Sequence, residues 1–318
     1  MREKIKEAAK KSKWGTVITV LLGLWLLAFA ISYLLTGGTP SVVREDKIVF
    51  IPIYGFISSD GSSTMPFGGE STTSAQIVDY LQQAEKDDSI KGIIIEINSG
   101  GGTVVATKEI ETAVKKAKEK KPVVAWIREA GASGAYWIAS SANKIVADPM
   151  SVTGSIGVTS SYLEFTGLME KYGIGYEQLT AGKYKDTGSP FRELKEDEKK
   201  ILQDKLNIIH ENFINTVAEN RGVSKEKVKG LATGMYSLGQ EFYEAGLVDY
   251  LGGKEEAIKI AKELAGIKEA KLVKFEKKTS ILDVLSRLSA DAFYYMGRGI
   301  GAELQSKAEV SKPVEIIA

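Results

Sequence analysis

Near its start the chain carries an uncharged, mostly apolar run of 22 residues, 14–35. At about 1.5 Å per residue a helix of that length crosses a hydrocarbon core of roughly 30 Å. Beyond it, short apolar bursts alternate with longer amphipathic stretches. Residues 47–55, KIVFIPIYG, read as a strand, and a loop rich in Ser, Gly and Thr follows over 58–74. Residues 75–84 place Ile77, Tyr80, Leu81 and Ala84 at helical spacing. Residues 92–98, GIIIEIN, read as a buried strand. A glycine turn, a Lys/Glu-rich helix over 103–120 and a strand over 122–127 come next, then a small-residue helix over 132–141 and a short strand over 144–147. Strand and helix in alternation predict an α/β fold with at least partly parallel pairing. Gly100, Gly131, Gly154 and Gly173 fall where short βα turns are expected.

From Lys195 the period becomes helical. Residues 195–220 predict one long helix whose apolar stripe is Leu202, Leu206, Ile209, Phe213, Ile214 and Val217. Shorter helices are expected near 224–232, 239–245 and 254–265, and an edge strand over 271–276. Residues 280–305 predict an amphipathic helix carrying Ile281, Leu285, Leu288, Phe293 and Tyr294, and the tail from Ser306 is expected to be mobile. The expected organisation is a basic N-terminus (1–13), a membrane anchor (14–35), a linker (36–46), a main domain (47–266) and a C-terminal part (267–318).

Charge orients the anchor. Arg2, Lys4, Lys6, Lys10, Lys11 and Lys13 precede the apolar run, and Arg44 is the one early cation after it. The positive-inside rule then predicts a single-pass cell-membrane protein, its N-terminus cytoplasmic and its main domain outside. Ala28-Phe29-Ala30 fits a signal-peptide cleavage site, but Ile31, Ser32, Tyr33, Leu34 and Leu35 continue the run, which favours an uncleaved anchor.

Composition then narrows the chemistry. With 42 Lys+Arg against 41 Asp+Glu, the net charge of +1 points away from nucleic acid. The chain has no Cys and one His, which excludes thiol nucleophiles, Cys-ligated metals and zinc sites needing two histidines. No metal or cofactor is expected. Acid–base work falls to Lys, Asp, Glu or Tyr, unless His210 carries it.

Three glycine-rich spots follow strands. In Asn98-Ser99-Gly100-Gly101-Gly102, consecutive glycines let backbone N–H groups face a ligand, or simply make a tight turn. In Gly131-Ala132-Ser133-Gly134-Ala135, Ser133 opens a helix among small neighbours. There the Gly134 N–H and the helix dipole suit an oxyanion, while an ordinary N-cap is the bland alternative. Thr153-Gly154-Ser155-Ile156-Gly157-Val158 reads locally as a turn. His210 sits beside the apolar stripe of the long helix. Ser141 to Lys144 and Ser224 to Lys227 match S-x-x-K but sit at helix ends. Gly182-Lys183-Tyr184-Lys185-Asp186 follows a strand pattern over 176–180. Its two lysines share a face in an extended stretch, so spacing does not separate them.

In this order, N-S-x-G-G-G, A-S-G-x-Y, T-G-S-I-G-V, G-x-Y-K-D and a long helix, the chain resembles the signal peptide peptidase A family of Ser-Lys peptidases over about 47–266. The resemblance implies a ClpP/crotonase-like spiral of βαβ units and a homo-oligomer. It implies Ser133 as nucleophile, Lys185 as general base and Ser155 as the residue orienting that base. Backbone N–H groups of Gly134 and of Gly100, Gly101 or Gly102 would form the oxyanion hole. Where this chain has Gly100 the family usually has Pro, so a looser turn is expected. A free lysine is neutral in only about one molecule in 10³ to 10⁴ at pH 7; burial in an apolar pocket, completed by bound peptide, favours the neutral form. The expected substrates are apolar peptides such as remnant signal peptides. Alternatives are a related membrane protease cutting an apolar segment of a membrane protein, a crotonase-like acyl-CoA enzyme, and a non-catalytic scaffold. The tail over 313–318 is a candidate occluding peptide.

Overall fold

A computed structural model describes residues 2–35, 45–60 and 71–276. Part of the linker, part of the Ser/Gly/Thr loop, the expected helix over 280–305 and the tail lie outside the described residues. The chain divides into two compact units, Met1–Asp46 and Lys47–Ala318.

Among the described residues the first unit holds one helix, α1 (Arg2–Leu35). Its segment Trp14–Tyr33 has a mean hydropathy of 2.2 and none of it is buried. Among the described residues it is the one helix long and apolar enough to cross a membrane. Its polar side chain Thr19 is satisfied within the helix, donating to Gly15 O at 2.9 Å, as a hydroxyl in an apolar environment requires. The face is apolar all round, which suits lipid rather than a one-sided protein groove.

In the second unit the elements run β1 (Lys47–Ser58), β2 (Ser71–Thr73), α2 (Ser74–Lys86), β3 (Ile90–Gly102), α3 (Val104–Lys118), β4 (Val123–Ala132), α4 (Gly134–Ser140), β5 (Lys144–Ala147), β6 (Val152–Gly154), α5 (Thr166–Lys171), α6 (Glu196–Arg221), α7 (Lys225–Leu231), β7 (Tyr236–Leu238), α8 (Gly239–Glu244), β8 (Tyr250–Leu251), α9 (Lys254–Ala265) and β9 (Lys271–Lys274). The sheet order is β2-β1-β3-β4-β5-β8, with β9 also on β1, β6 also on β4, and β7 on β6. Every pairing is parallel except β6–β7. This is the mostly parallel α/β fold of βαβ units, preceded by an apolar helix, that the sequence predicts.

The continuous apolar strands are explained by burial on both faces. Val49, Ile51, Ile53, Ile93, Ile95 and Ile97 face a core shared with α2, α3, α4 and α6. Ile48, Phe50, Ile94 and Val124 face the other way, against Ala257, Ile260 and Ala261 of α9. Each fully buried Ile or Val stabilises the fold by about 1.5–3 kcal/mol relative to exposure. A parallel sheet places its loops at the carboxyl ends of the strands, where ligands bind. Gly100 to Gly102, Ser133 and Ser155 all lie at such ends of β3, β4 and β6.

Four local differences from the sequence reading have physical causes. The glycine turn after residue 98 is strand: β3 continues to Gly102, which pairs with Ile57 after a register shift. Likewise β4 runs to Ala132, because its far end pairs with β6. Residues 176–180 are not a strand; they are exposed, and among the described residues no neighbouring strand takes their hydrogen bonds. The short α5 has no buried residue, so it leaves no periodic apolar signal.

Candidate active site

The hydrogen bonds of the sheet force Ser133 into an unusual backbone. Its N–H donates to Gly154 O at 2.8 Å, closing the β4–β6 pairing, while its own carbonyl accepts the first bond of α4 from Trp137 N–H at 3.0 Å. To make both turns in one residue Ser133 adopts φ 51° and ψ −125°. A non-glycine residue in that region costs about 1–3 kcal/mol and recurs at functional sites. A sharp strand-to-helix turn of this kind lifts a serine hydroxyl clear of the sheet. The hydroxyl makes no capping bond to α4, so the N-cap reading does not describe it.

Ser133 opens onto a cavity of about 490 Å³ lined also by Gly102, Gly134, Ser155, Trp137 and Phe213. The cavity wall is part apolar, with Thr103, Thr107 and Thr159 also lining it. Trp137 stacks on Phe213 with ring centroids 4.4 Å apart and planes within 12°, and Phe56, Val104 and Val158 add to it.

The glycines differ in what they offer. The Gly101 N–H is committed to Ser99 Oγ at 3.0 Å. Gly101 also has φ +106°, and a Cβ there would lie 2.8 Å from Gly134 N and 3.0 Å from the Ser133 Cβ. Thr103 N–H bonds Ile57 O at 2.8 Å, on the β1 side. Successive N–H groups of an extended chain point to opposite edges, so that of Gly102 points away from β1, toward Gly134. A Cβ on Gly134 would sit 3.3 Å from Gly102 N. Gly134 is the first residue of α4, where backbone N–H groups have no partner inside the helix. A Cβ on Gly100 would meet nothing within 4 Å, and this glycine lines no part of the cavity.

Ser155 lines the cavity and also has positive φ, 49°. Its Oγ donates to Gly234 O at 3.0 Å and its N–H to Met235 O at 3.1 Å. Lys185 is exposed and does not line this cavity; its backbone N–H donates to Gly182 O at 3.1 Å. Within one copy the structure thus brings Ser133, Ser155, Gly102 and Gly134 together and leaves Lys185 apart from them.

The other basic candidates are engaged. Lys183 Nζ lies 2.8 Å from Tyr184 Oη and 2.9 Å from Asp197 Oδ2. The hydrogen bond with Tyr184, then that with Asp197, hold its ammonium well above the ordinary lysine range, the wrong direction for a base. His210 Nε2 is 3.2 Å from Ile156 O, so that nitrogen carries the proton and donates. Among the described residues no group of three or more His, Cys, Asp or Glu is arranged to hold a metal ion.

Sequence reasoning missed Glu198. Its side chain is fully buried, although most residues around it are exposed. It accepts from Arg192 at 2.7 and 2.9 Å, from Lys195 N–H at 2.9 Å and from Thr187 Oγ1 at 3.0 Å. The Arg192 bonds lead in holding its carboxyl at about 2, against an ordinary 4.5. A carboxylate with a depressed folded-state value stabilises the fold fully above about pH 4.5, and that contribution is lost as pH falls toward 2. Acid unfolding followed by circular dichroism should therefore begin at higher pH in wild type than in Glu198→Leu, if that variant folds, relative to each protein's stability at pH 7. The only signal in the sequence was its place three residues after Lys195, a capping-box position.

The chain is similar to known peptidases. The model of peptidase family S49 matches residues 115–268, and a CoA-ligase model matches residues 27–148, a stretch that begins inside α1 and stops short of Ser155 and Lys185. A protein of Methanocaldococcus jannaschii bearing a protease name is 36% identical over 243 residues, 76% of this chain and 77% of that one. One of Enterococcus faecium bearing a signal peptide peptidase name is 32% identical over 235 residues, 74% of this chain and 68% of that one. A solved structure of a membrane-bound stomatin-specific protease aligns with a TM-score of 0.46 and 16% identity, covering 73% of this chain and 99% of that one. The chain belongs to peptidase family S49, as a member of its signal peptide peptidase A group.

Proposed function

We propose that this peptidase is a membrane-anchored serine endopeptidase that cleaves apolar peptides, remnant signal peptides among them, with Ser133 as nucleophile and Lys185 as general base. The observation that carries the reading is Ser133, held at φ 51° on the rim of a partly apolar cavity beside the glycine pair Gly102 and Gly134.

Neutral Lys185 takes the Ser133 hydroxyl proton as Oγ attacks the scissile carbonyl. The N–H groups of Gly102 and Gly134 hold the oxyanion. The C–N bond breaks, Lys185 Nζ returns the proton to the leaving amine, and an ester on Ser133 remains. Water then attacks that ester, giving its proton to Lys185, which passes it to the ester oxygen as that oxygen leaves as the Ser133 hydroxyl. Ser155 orients the lysine, exchanging its bond to Gly234 O for one to Nζ.

The lysine comes from a second copy. Lys185 is exposed in its own chain, and the segment that bears it presents Leu163, Leu168, Tyr172, Ile174 and Leu179 to solvent, Leu179 at 93%. Apolar surface of that extent marks an association site. Docking it on a neighbour buries it and brings Lys185 to the neighbour's Ser133. The anchor orientation, with the basic residues 2–13 cytoplasmic and the catalytic unit outside, sets the enzyme where signal peptides end after release.

The stacked Trp137 and Phe213 argue for an apolar or small residue before the scissile bond. In a set of quenched-fluorescence peptides differing at that residue, Ala or Leu is expected to be cleaved about 10²-fold better than Asp or Lys, since an unpaired charge in an apolar pocket is costly. Equal rates for all four would overturn the assignment of this cavity.

A further inference from the structure

The residues on either side of Lys185 are tied to one place, the N-terminal turn of α6. Lys183 and Tyr184 Oη both bond Asp197, at 2.9 and 3.1 Å. Asp186 accepts from Arg192 Nε at 2.6 Å, and that guanidinium reaches on to both oxygens of Glu198. Thr187 Oγ1 donates to Glu198 Oε1 at 3.0 Å. The segment that carries these groups is largely exposed, yet Glu198 at its foot is buried, and Thr187, Arg192 and Lys195 all approach it from that segment. The same helix carries Phe213, which lines the Ser133 cavity.

Resting on the Ser133–Lys185 reading above, we infer that the half-buried Arg192 and the buried Glu198, paired with each other and joined by Asp186 and Thr187, are a positioning device for the general base. It fixes the backbone of residues 186 and 187, immediately after Lys185, so that the lysine leaves the loop in one direction. A short exposed loop without such a clamp would spread the amine over many positions, and a misplacement of about 1 Å in a reacting group costs on the order of 10²-fold in rate. The pair is bidentate, the geometry in which arginine defines orientation as well as charge. A neutral pair of the same shape would keep the loop packed but lose that direction.

The test uses the full chain in detergent, with Glu198→Gln, Arg192→Lys and Lys185→Ala assayed on one quenched apolar peptide. Glu198→Gln is expected to lower kcat about 10- to 100-fold with KM within about twofold. Arg192→Lys, which keeps the charge but not the fork, is expected to fall between it and wild type. A purely structural role predicts instead a lower melting temperature with kcat per folded molecule unchanged, and that result overturns the proposal. Should Glu198→Gln fail to fold, Thr187→Val, which removes one of the bonds, takes its place with an expected several-fold loss in kcat and the same overturning result. Lys185→Ala separates the two levels of the argument. Loss of activity there with normal Glu198→Gln overturns only the positioning device, whereas activity surviving there overturns the dyad and the device with it.

Discussion

Ser133→Ala and Lys185→Ala are each expected to lower kcat/KM on an apolar peptide by about 10⁴- to 10⁶-fold, with the far-ultraviolet circular dichroism unchanged. The sizes are those of groups that act as one unit: removing either leaves no activated nucleophile, so the double variant should be no worse than the worse single one. Ser133→Ala also relieves nothing of its backbone strain, because alanine carries the same Cβ into φ 51°. Folding should therefore survive, and a folded, inactive Ser133→Ala is the expected product. Lys183→Ala provides the contrast. That lysine is paired with Asp197 and held protonated, so its loss should cost less than about tenfold through the loop alone. An inactive Lys183→Ala beside an active Lys185→Ala would reverse the assignment of the base.

The glycine run at the end of β3 gives the second large effect. A Cβ on Gly102 would overlap Ile57 O, and one on Gly101 would crowd Gly134 N and the Ser133 Cβ from a φ of +106°. Neither obstacle is a flexible side-chain end; both are backbone or the Cβ of Ser133. Gly102→Ala is expected to displace the N–H proposed to hold the oxyanion and lower kcat about 10²- to 10³-fold. Gly101→Ala adds about 1–3 kcal/mol of backbone strain and should lose stability as well as rate. Gly100→Ala is the control: its Cβ meets open space and its φ is not left-handed. It should keep its activity and gain about 0.4–1 kcal/mol from a less free unfolded chain. Equal losses at all three positions, read by kcat and by melting temperature, would contradict this account of the glycine run.

Much of this was readable in the residues because burial writes itself into periodicity. Strands β1 and β3 are apolar without interruption, since Ile48 and Phe50 face α9 while Val49 and Ile51 face the other core. The small residues around Ser133 announced a tight strand-to-helix turn. What periodicity could not carry was pairing. Residues 99–102 read as a turn because glycine is a poor strand former, yet they are strand because Ile57 lies beside them. Residues 176–180 have strand composition but, among the described residues, no strand beside them. The clamp on Glu198 joins residues 186, 187, 192 and 195 at irregular spacing, which no helical or strand pattern encodes. Likewise, no sequence pattern shows that the Gly101 N–H is already taken by Ser99 Oγ, or that Gly100 lies in open space.

The shared site remains the central claim, and complementation tests it most directly. Full-length Ser133→Ala and Lys185→Ala chains, each inactive alone, are coexpressed in equal amounts, purified together, and assayed on the apolar peptide. If Lys185 serves a neighbouring copy's Ser133, random mixing restores an intact pair in about one site in four, and activity should return to about a quarter of wild type. Mixed oligomers, verified by differential tags, that stay as inactive as either variant alone would contradict a dyad assembled between copies.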